Sequence, residues 1–107
     1  MPGTVTITRP RAEPQDQTAH DRGWKVVLFN DDVTPLDVVI YALQRAASLS
    51  QELAEEVAWR AHEDDSAVVK RGLDEEDARI ICGGLAKWSR IDGLCPGVRA
   101  EAEPDDP

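Results

Sequence analysis

The stretch WKVVLFNDDVTPLDVVIYALQRA, from Trp24 to Ala46, constrains the fold more than any other part of the chain, because its apolar period changes within a few residues. Trp24 to Phe29 is a nearly continuous apolar run with Lys25 near its start, the pattern of a short strand covered on at least one face. Asn30, Asp31 and Asp32 end it, since short side-chain oxygens bond local backbone amides and favour a turn over a ladder. Thr34 and Pro35 then read as an N-cap and a first helical residue. Leu36, Val39, Ile40 and Leu43 follow at i, i+3, i+4 and i+7, one apolar stripe of a helix. A strand, an acidic seam and a helix in immediate succession call for a fold in which helices cover a sheet.

The same grammar recurs downstream. Ser50 is placed to cap a second helix, with Glu52 and Glu55 near its positive end, Leu53 and Val57 as its large apolar residues, and Ala54, Ala58 and Ala61 as small ones. Ser66 to Val69 is a short strand. Asp74 is placed to cap a third helix whose Ile81, Leu85 and Trp88 share a face, although Gly83 and Gly84 interrupt its propensity. After Gly93, GVRAEAE alternates weakly as a last strand, with Pro96 and Gly97 crowding its start. The expected architecture is α+β: a small β-α-α-β-α-β domain with helices packed on one face of a three-stranded antiparallel sheet.

A chain of 107 residues holds one such domain and one modest core. Residues 1–22 carry three prolines among polar residues and are expected to form a mobile N-terminal arm, residues 23–103 the folded domain, and residues 104–107 a disordered tail. Twelve Lys and Arg against twenty-one Asp and Glu leave a formal charge of -9, which repels nucleic-acid phosphates and anionic membrane. Cys82 and Cys95 are too few and too far apart for a disulfide framework or a zinc site. No segment reaches the length of a membrane span and the N-terminus lacks the apolar core of a signal peptide, so a cytoplasmic location is expected.

Asp31, Asp32, His62, Asp64 and Asp65 invite an enzyme reading, a carboxylate pair with an imidazole. A nucleophile is missing, one His is thin for a metal centre, and acids at turns and helix ends are commonly just solvated. No catalytic residue, metal or cofactor is therefore assigned. Binding asks for less. In an antiparallel helix pair the start of the first helix lies near the end of the second, bringing Asn30 and Asp31 towards His62, while Ala58 and Ala61 face Leu36 and Val39. The result is an apolar hole with an acidic, hydrogen-bonding mouth. A free peptide N-terminus suits it, since its ammonium, with a pKa of about 7.7–8.0, is mostly charged at neutral pH and the first side chain hangs beside it.

NDDVTPLDVVIYALQ resembles the Asn-Asp-Asp-x-Thr-Pro segment and following helix of the ClpS family, the adaptors that deliver N-degron substrates to the Clp unfoldase-protease. VAWRAHEDDSAVV resembles that family's second helix, which ends in a His before a short strand. The resemblance is specific from Trp24 to Val69 and looser from Leu73 to Glu103. It implies that Asn30, Asp31 and His62 hold the α-amino group, that Asp32 and Thr34 shape the mouth, and that Leu36, Val39, Ala58 and Ala61 wall the pocket for a bulky hydrophobic first side chain. Leu94 or Pro96 falls near the family's last pocket residue. Glu75, Glu76 and Arg79 fall on its docking surface for the N-terminal domain of a ClpA- or ClpC-like AAA+ unfoldase. Two departures stand out. Ala58 occupies a position that is commonly Met in the family, which predicts a roomier pocket open to Ile, Val or Trp, and Asp65 replaces the usual Gly after the His. The alternative function is a divergent protein-interaction domain on the same fold that does not read N-degrons, followed by an acidic metal-assisted hydrolase.

Overall fold

The computed structural model describes residues 23–105. The first strand, β1, spans Trp24–Phe29, and its alternation is the one its residues dictate: Val26 and Leu28 are buried against the helices, while Lys25 and Phe29 turn to the other face. Helix α1 (Leu36–Ala47) and helix α2 (Gln51–Asp64) follow, then β2 (Ser66–Leu73), α3 (Glu75–Trp88) and β3 (Arg99–Pro104). β1 is the central strand of an antiparallel sheet with order β2-β1-β3. The core joins Val26 and Leu28 of β1 and Ala67 and Val69 of β2 to Ala42 and Leu43, Val57 and Ala58, and Ile81 and Leu85 of the three helices.

Helix boundaries follow local chemistry, with one correction. Ser50 Oγ accepts from the Leu53 amide at 3.1 Å and Asp74 Oδ1 from the Asp77 amide at 2.8 Å, so both expected caps form. Thr34 is not the cap of α1. Pro35 takes that place without a side-chain cap, its carbonyl accepting from Val38 and Val39, because the Thr34 hydroxyl is committed to Asp31. Gly83 and Gly84 do not break α3. Gly84 faces α1, where a Cβ would stand 3.0 Å from that of Ala46, so the missing side chain permits the two helices to approach. Leu53, one of the two large apolar residues of α2, is 44% exposed: the helix buries Ala54, Val57, Ala58 and Ala61 instead.

Both sheet edges run longer than the apolar pattern alone suggests. β2 continues past Val69 through the polar Lys70 and Arg71 to Leu73. At the other end Pro104, expected in a tail, is the last residue of β3. The Asp105 amide donates to the Gly23 carbonyl at 2.7 Å, and its carboxylate receives Arg71 at 2.6 Å and Lys25 at 3.7 Å. These partners extend the order to residue 105. The proposed arm at 1–22 and the last two residues of the proposed tail lie outside the described residues. No described helix is long and apolar enough to cross a membrane.

Candidate functional site

The seam after β1 is a built loop. Asp31 Oδ1 accepts from the amides of Val33, at 3.1 Å, and Thr34, at 2.9 Å, while its Oδ2 accepts from Thr34 Oγ1 at 2.7 Å. Partial burial pushes the Asp31 carboxyl up, but these hydrogen bonds together outweigh that and hold it below its ordinary value. With two acceptor sites on each carboxylate oxygen, three internal bonds leave Oδ2 with a free lone pair. Asn30 Nδ2 donates to Asp32 Oδ1 at 2.9 Å, which leaves the Asn30 side-chain oxygen available as an acceptor. Asp32 itself sits at φ 60°, a left-handed conformation that Asp tolerates better than most residues and that turns the chain from strand to helix.

The end of α2 is brought to this loop by a second left-handed residue. Asp65, at φ 72° and ψ -18°, caps α2 and turns it directly into β2. Its carbonyl accepts from the Asn30 amide at 3.0 Å. That bond ties the corner just beyond His62 to the first residue of the acidic seam. Asp65 thus holds, without being glycine, a left-handed conformation that glycine adopts most readily.

Between the loop and the two helices lies a cavity of about 250 Å³. Leu36 and Val39 of α1 and Ala58 and Ala61 of α2 form opposite walls, with Leu28 and Val98 below. Asn30, Asp31, Asp32, Thr34 and His62 line it as well, and Phe29 and Trp59 complete the lining. Walls of aliphatic carbon under a rim of oxygen acceptors give one compartment for an apolar group and one for a hydrogen-bond donor. The volume falls just short of the ~300–1,000 Å³ of ordinary small-molecule pockets, which suits a single side chain. His62 is exposed at the rim, its ring edge-on to Trp59 with centroids 5.8 Å apart.

Nine of the residues singled out from the sequence for the amine and the pocket line this one cavity; Leu94 and Pro96 do not. The segment after α3 closes on itself, with Ile91 and Cys95 exchanging backbone hydrogen bonds at 3.0 Å, so Leu94 sits near the tip and is 57% exposed. Leu94 and Pro96 line a separate shallow depression. The residue that reaches the cavity from this side is Val98, which sequence reasoning passed over. Its signal was the Gly before it. Gly97 has φ 104°, and a Cβ there would meet the Ala86 carbonyl oxygen at 2.5 Å, so only glycine lets the chain pass α3 and drop Val98 into the core. The Val98 amide then donates to the fully buried Ser89 Oγ at 2.8 Å, and that hydroxyl donates to the Leu85 carbonyl at 2.6 Å.

Glu75, Glu76 and Arg79 lie together at the start of α3, around a shallow depression shared with the exposed Ile80. Arg79 is bound there by Glu75 Oε2, at 2.8 Å from its NH2 and 3.0 Å from its Nε. Among the described residues, no group of three or more His, Cys, Asp or Glu side chains is placed to hold a metal ion.

A three-helix, three-stranded α+β domain with an acceptor-rimmed apolar cavity at the strand-helix seam is a class of small binding domain, and comparison with known proteins says which. The family model for ATP-dependent Clp protease adaptor protein ClpS matches residues 19–92, and the chain belongs to that family. It is 36% identical over 84 residues to the ATP-dependent Clp protease adapter protein ClpS 2 of Mesorhizobium japonicum, an alignment covering 75% of this chain and 83% of the relative. A ClpS of Leptospira biflexa is 42% identical over 45 residues, 42% of this chain and 40% of that protein. The solved structure of Agrobacterium tumefaciens ClpS2 bound to L-phenylalaninamide superposes with a TM-score of 0.67 at 28% identity, covering 76% of this chain and 94% of that one.

Proposed function

We propose that this protein binds the free N-terminal residue of N-degron substrates, bulky and hydrophobic, and delivers them to a Clp AAA+ unfoldase-protease. The observation that carries the reading is the juxtaposition, around one mouth, of acceptors at Asn30 and Asp31, the His62 ring and an apolar cavity sized for one side chain. A peptide α-ammonium supplies the donors and its first side chain fills the cavity. The family relative holding L-phenylalaninamide, a free amine beside an aromatic side chain, supports it. The residues act by holding and releasing the terminus, and no bond is made or broken.

Magnitudes agree with a reversible capture module. An aromatic first residue burying roughly 150–250 Å² at about 25 cal/mol per Å² offers about 4–6 kcal/mol. The ammonium's charge-assisted contacts add to this, and association and ordering remove several kcal/mol. The net is a modest, reversible affinity.

Fluorescence anisotropy with labelled peptides that differ only at residue 1 tests the reading. Peptides beginning with free Leu or Phe are expected to bind, and N-acetylation to abolish binding, since it removes the charge and adds bulk at the rim. Equal binding of the acetylated and free peptides would sink the proposal, and absence of binding throughout would favour a family member that uses the fold for another protein surface. The acidic start of α3, with Glu75, Glu76, Arg79 and Ile80, is the proposed contact for the unfoldase's N-terminal domain.

A further inference from the structure

A cavity of about 250 Å³ takes one side chain, so in a bound peptide everything after the first residue lies outside it. The acceptors at the rim fix the ammonium, and consecutive Cα atoms are about 3.8 Å apart, so the second residue must lie directly over the mouth. Successive side chains of an extended chain point to opposite sides, and the second one therefore leaves the cavity and meets only groups that rise beside the opening. Trp59 is such a group. It is 51% exposed and is among the residues lining the cavity, which places it at the boundary between the pocket and solvent. Its ring is packed edge-on against His62 at 81°, which holds it in place at the rim. Its neighbours on the helix, Ala58 and Ala61, are buried and too short to reach the surface.

Resting on the N-terminal reading above, we infer that Trp59 is a specificity-determining residue for the second position of the substrate, where its exposed indole packs against an apolar or aromatic side chain. A large aromatic surface left half in water beside a peptide mouth gains by being covered, and a rigid ring with two side-chain torsions loses little freedom when it is. Glycine at the second position offers it nothing. Selection at this position therefore depends on contact area with the indole, independently of the amine contacts at Asn30 and Asp31.

The test is a pair of peptides that begin with free Phe and carry Leu or Gly second, each measured by anisotropy against the full chain, Trp59→Ala and Trp59→Phe. The wild type is expected to bind the Leu peptide about three- to tenfold tighter than the Gly peptide. Trp59→Ala should abolish that preference, the Leu peptide losing at least threefold more affinity than the Gly peptide, and Trp59→Phe should restore most of it. A Leu-over-Gly preference that survives in Trp59→Ala overturns the inference, as does a loss equal for both peptides, which would make Trp59 a wall for the first side chain. If neither peptide binds the wild type, or the acetylated Phe-Leu peptide binds as well as the free one, the N-terminal reading fails first and this inference with it.

Discussion

On the proposed reading, Asp31 carries two duties with one carboxylate. Three of its acceptor sites fold the seam and one is left for a ligand, so the two duties separate by substitution. Asp31→Asn keeps a side-chain oxygen for the Val33 and Thr34 amides and loses the charge; Asp31→Ala loses both. We expect the Asn variant to keep near-wild-type stability and lose at least tenfold in affinity for a free Leu peptide, and the Ala variant to be less stable as well, as read by thermal melts beside the anisotropy titration. The pH profile follows from the same groups. A carboxyl held low in the folded state contributes stability above the ordinary aspartate value of about 3.9, and that contribution is lost as pH falls through the folded value. Any acid limb that Asp31 itself contributes thus lies below about pH 4, whereas the ammonium loses its proton near 7.7–8.0. Binding measured across pH should weaken about tenfold per unit above 8; an alkaline limb missing from the profile would show that the amine's charge is not read. Ala58 sets the other compartment. Peptides starting with Ile or Val are expected within tenfold of Leu, and Ala58→Met to restrict them; Ile a hundredfold weaker than Leu would mean neighbouring side chains already close the gap.

At the level of elements, the positions that place the site are turns more than helices. Asp65 and Ser48 end α2 and α1 in left-handed conformations without being glycine. Asp65→Gly should stabilise the fold by up to about 1 kcal/mol in denaturant unfolding, with peptide affinity unchanged if the Asn30 bond to residue 65 is kept. Ser89→Ala leaves the buried Val98 amide without its partner and should cost about 1–3 kcal/mol, with a looser cavity floor and weaker peptide binding. The local signals that name helices and caps were legible because they are short-range: Ser50 and Asp74 cap what their spacing says they cap, and the stripe from Leu36 to Leu43 faces the core. The juxtaposition of Asn30, Asp31 and His62 was legible too, through the order of two antiparallel helices. Thr34 was not, because its hydroxyl had two plausible uses and only the folded loop chooses Asp31. Val98 was not, because its place depends on Gly97 slipping past the Ala86 carbonyl, a contact between residues far apart in any local pattern. The looser resemblance over this segment offers Leu94 or Pro96, and the turn closed by Ile91 and Cys95 carries Leu94 outward.

For the whole molecule, the charge of -9 bears on encounter. Peptides rich in Lys or Arg should be captured faster at low salt, with on-rates that fall as ionic strength rises and off-rates that barely move, a difference stopped-flow measurement resolves. The proposed docking surface, at the start of α3, and the proposed peptide mouth, at the rim of α2, share no lining residue, so Ile80→Ala with Arg79→Glu should weaken association with an unfoldase N-terminal domain and leave anisotropy with a Leu peptide unchanged. The backbone bond between Gly23 and Asp105 has a separate consequence. The chain enters and leaves the domain at one corner, at the opposite end of β1 from Asn30, roughly 20 Å away over six residues of strand. Residues 23 and 105 can therefore be grafted into a single exposed loop of another protein, or joined to each other with new termini opened near Gly93, with the junction at the far end of β1 from the mouth.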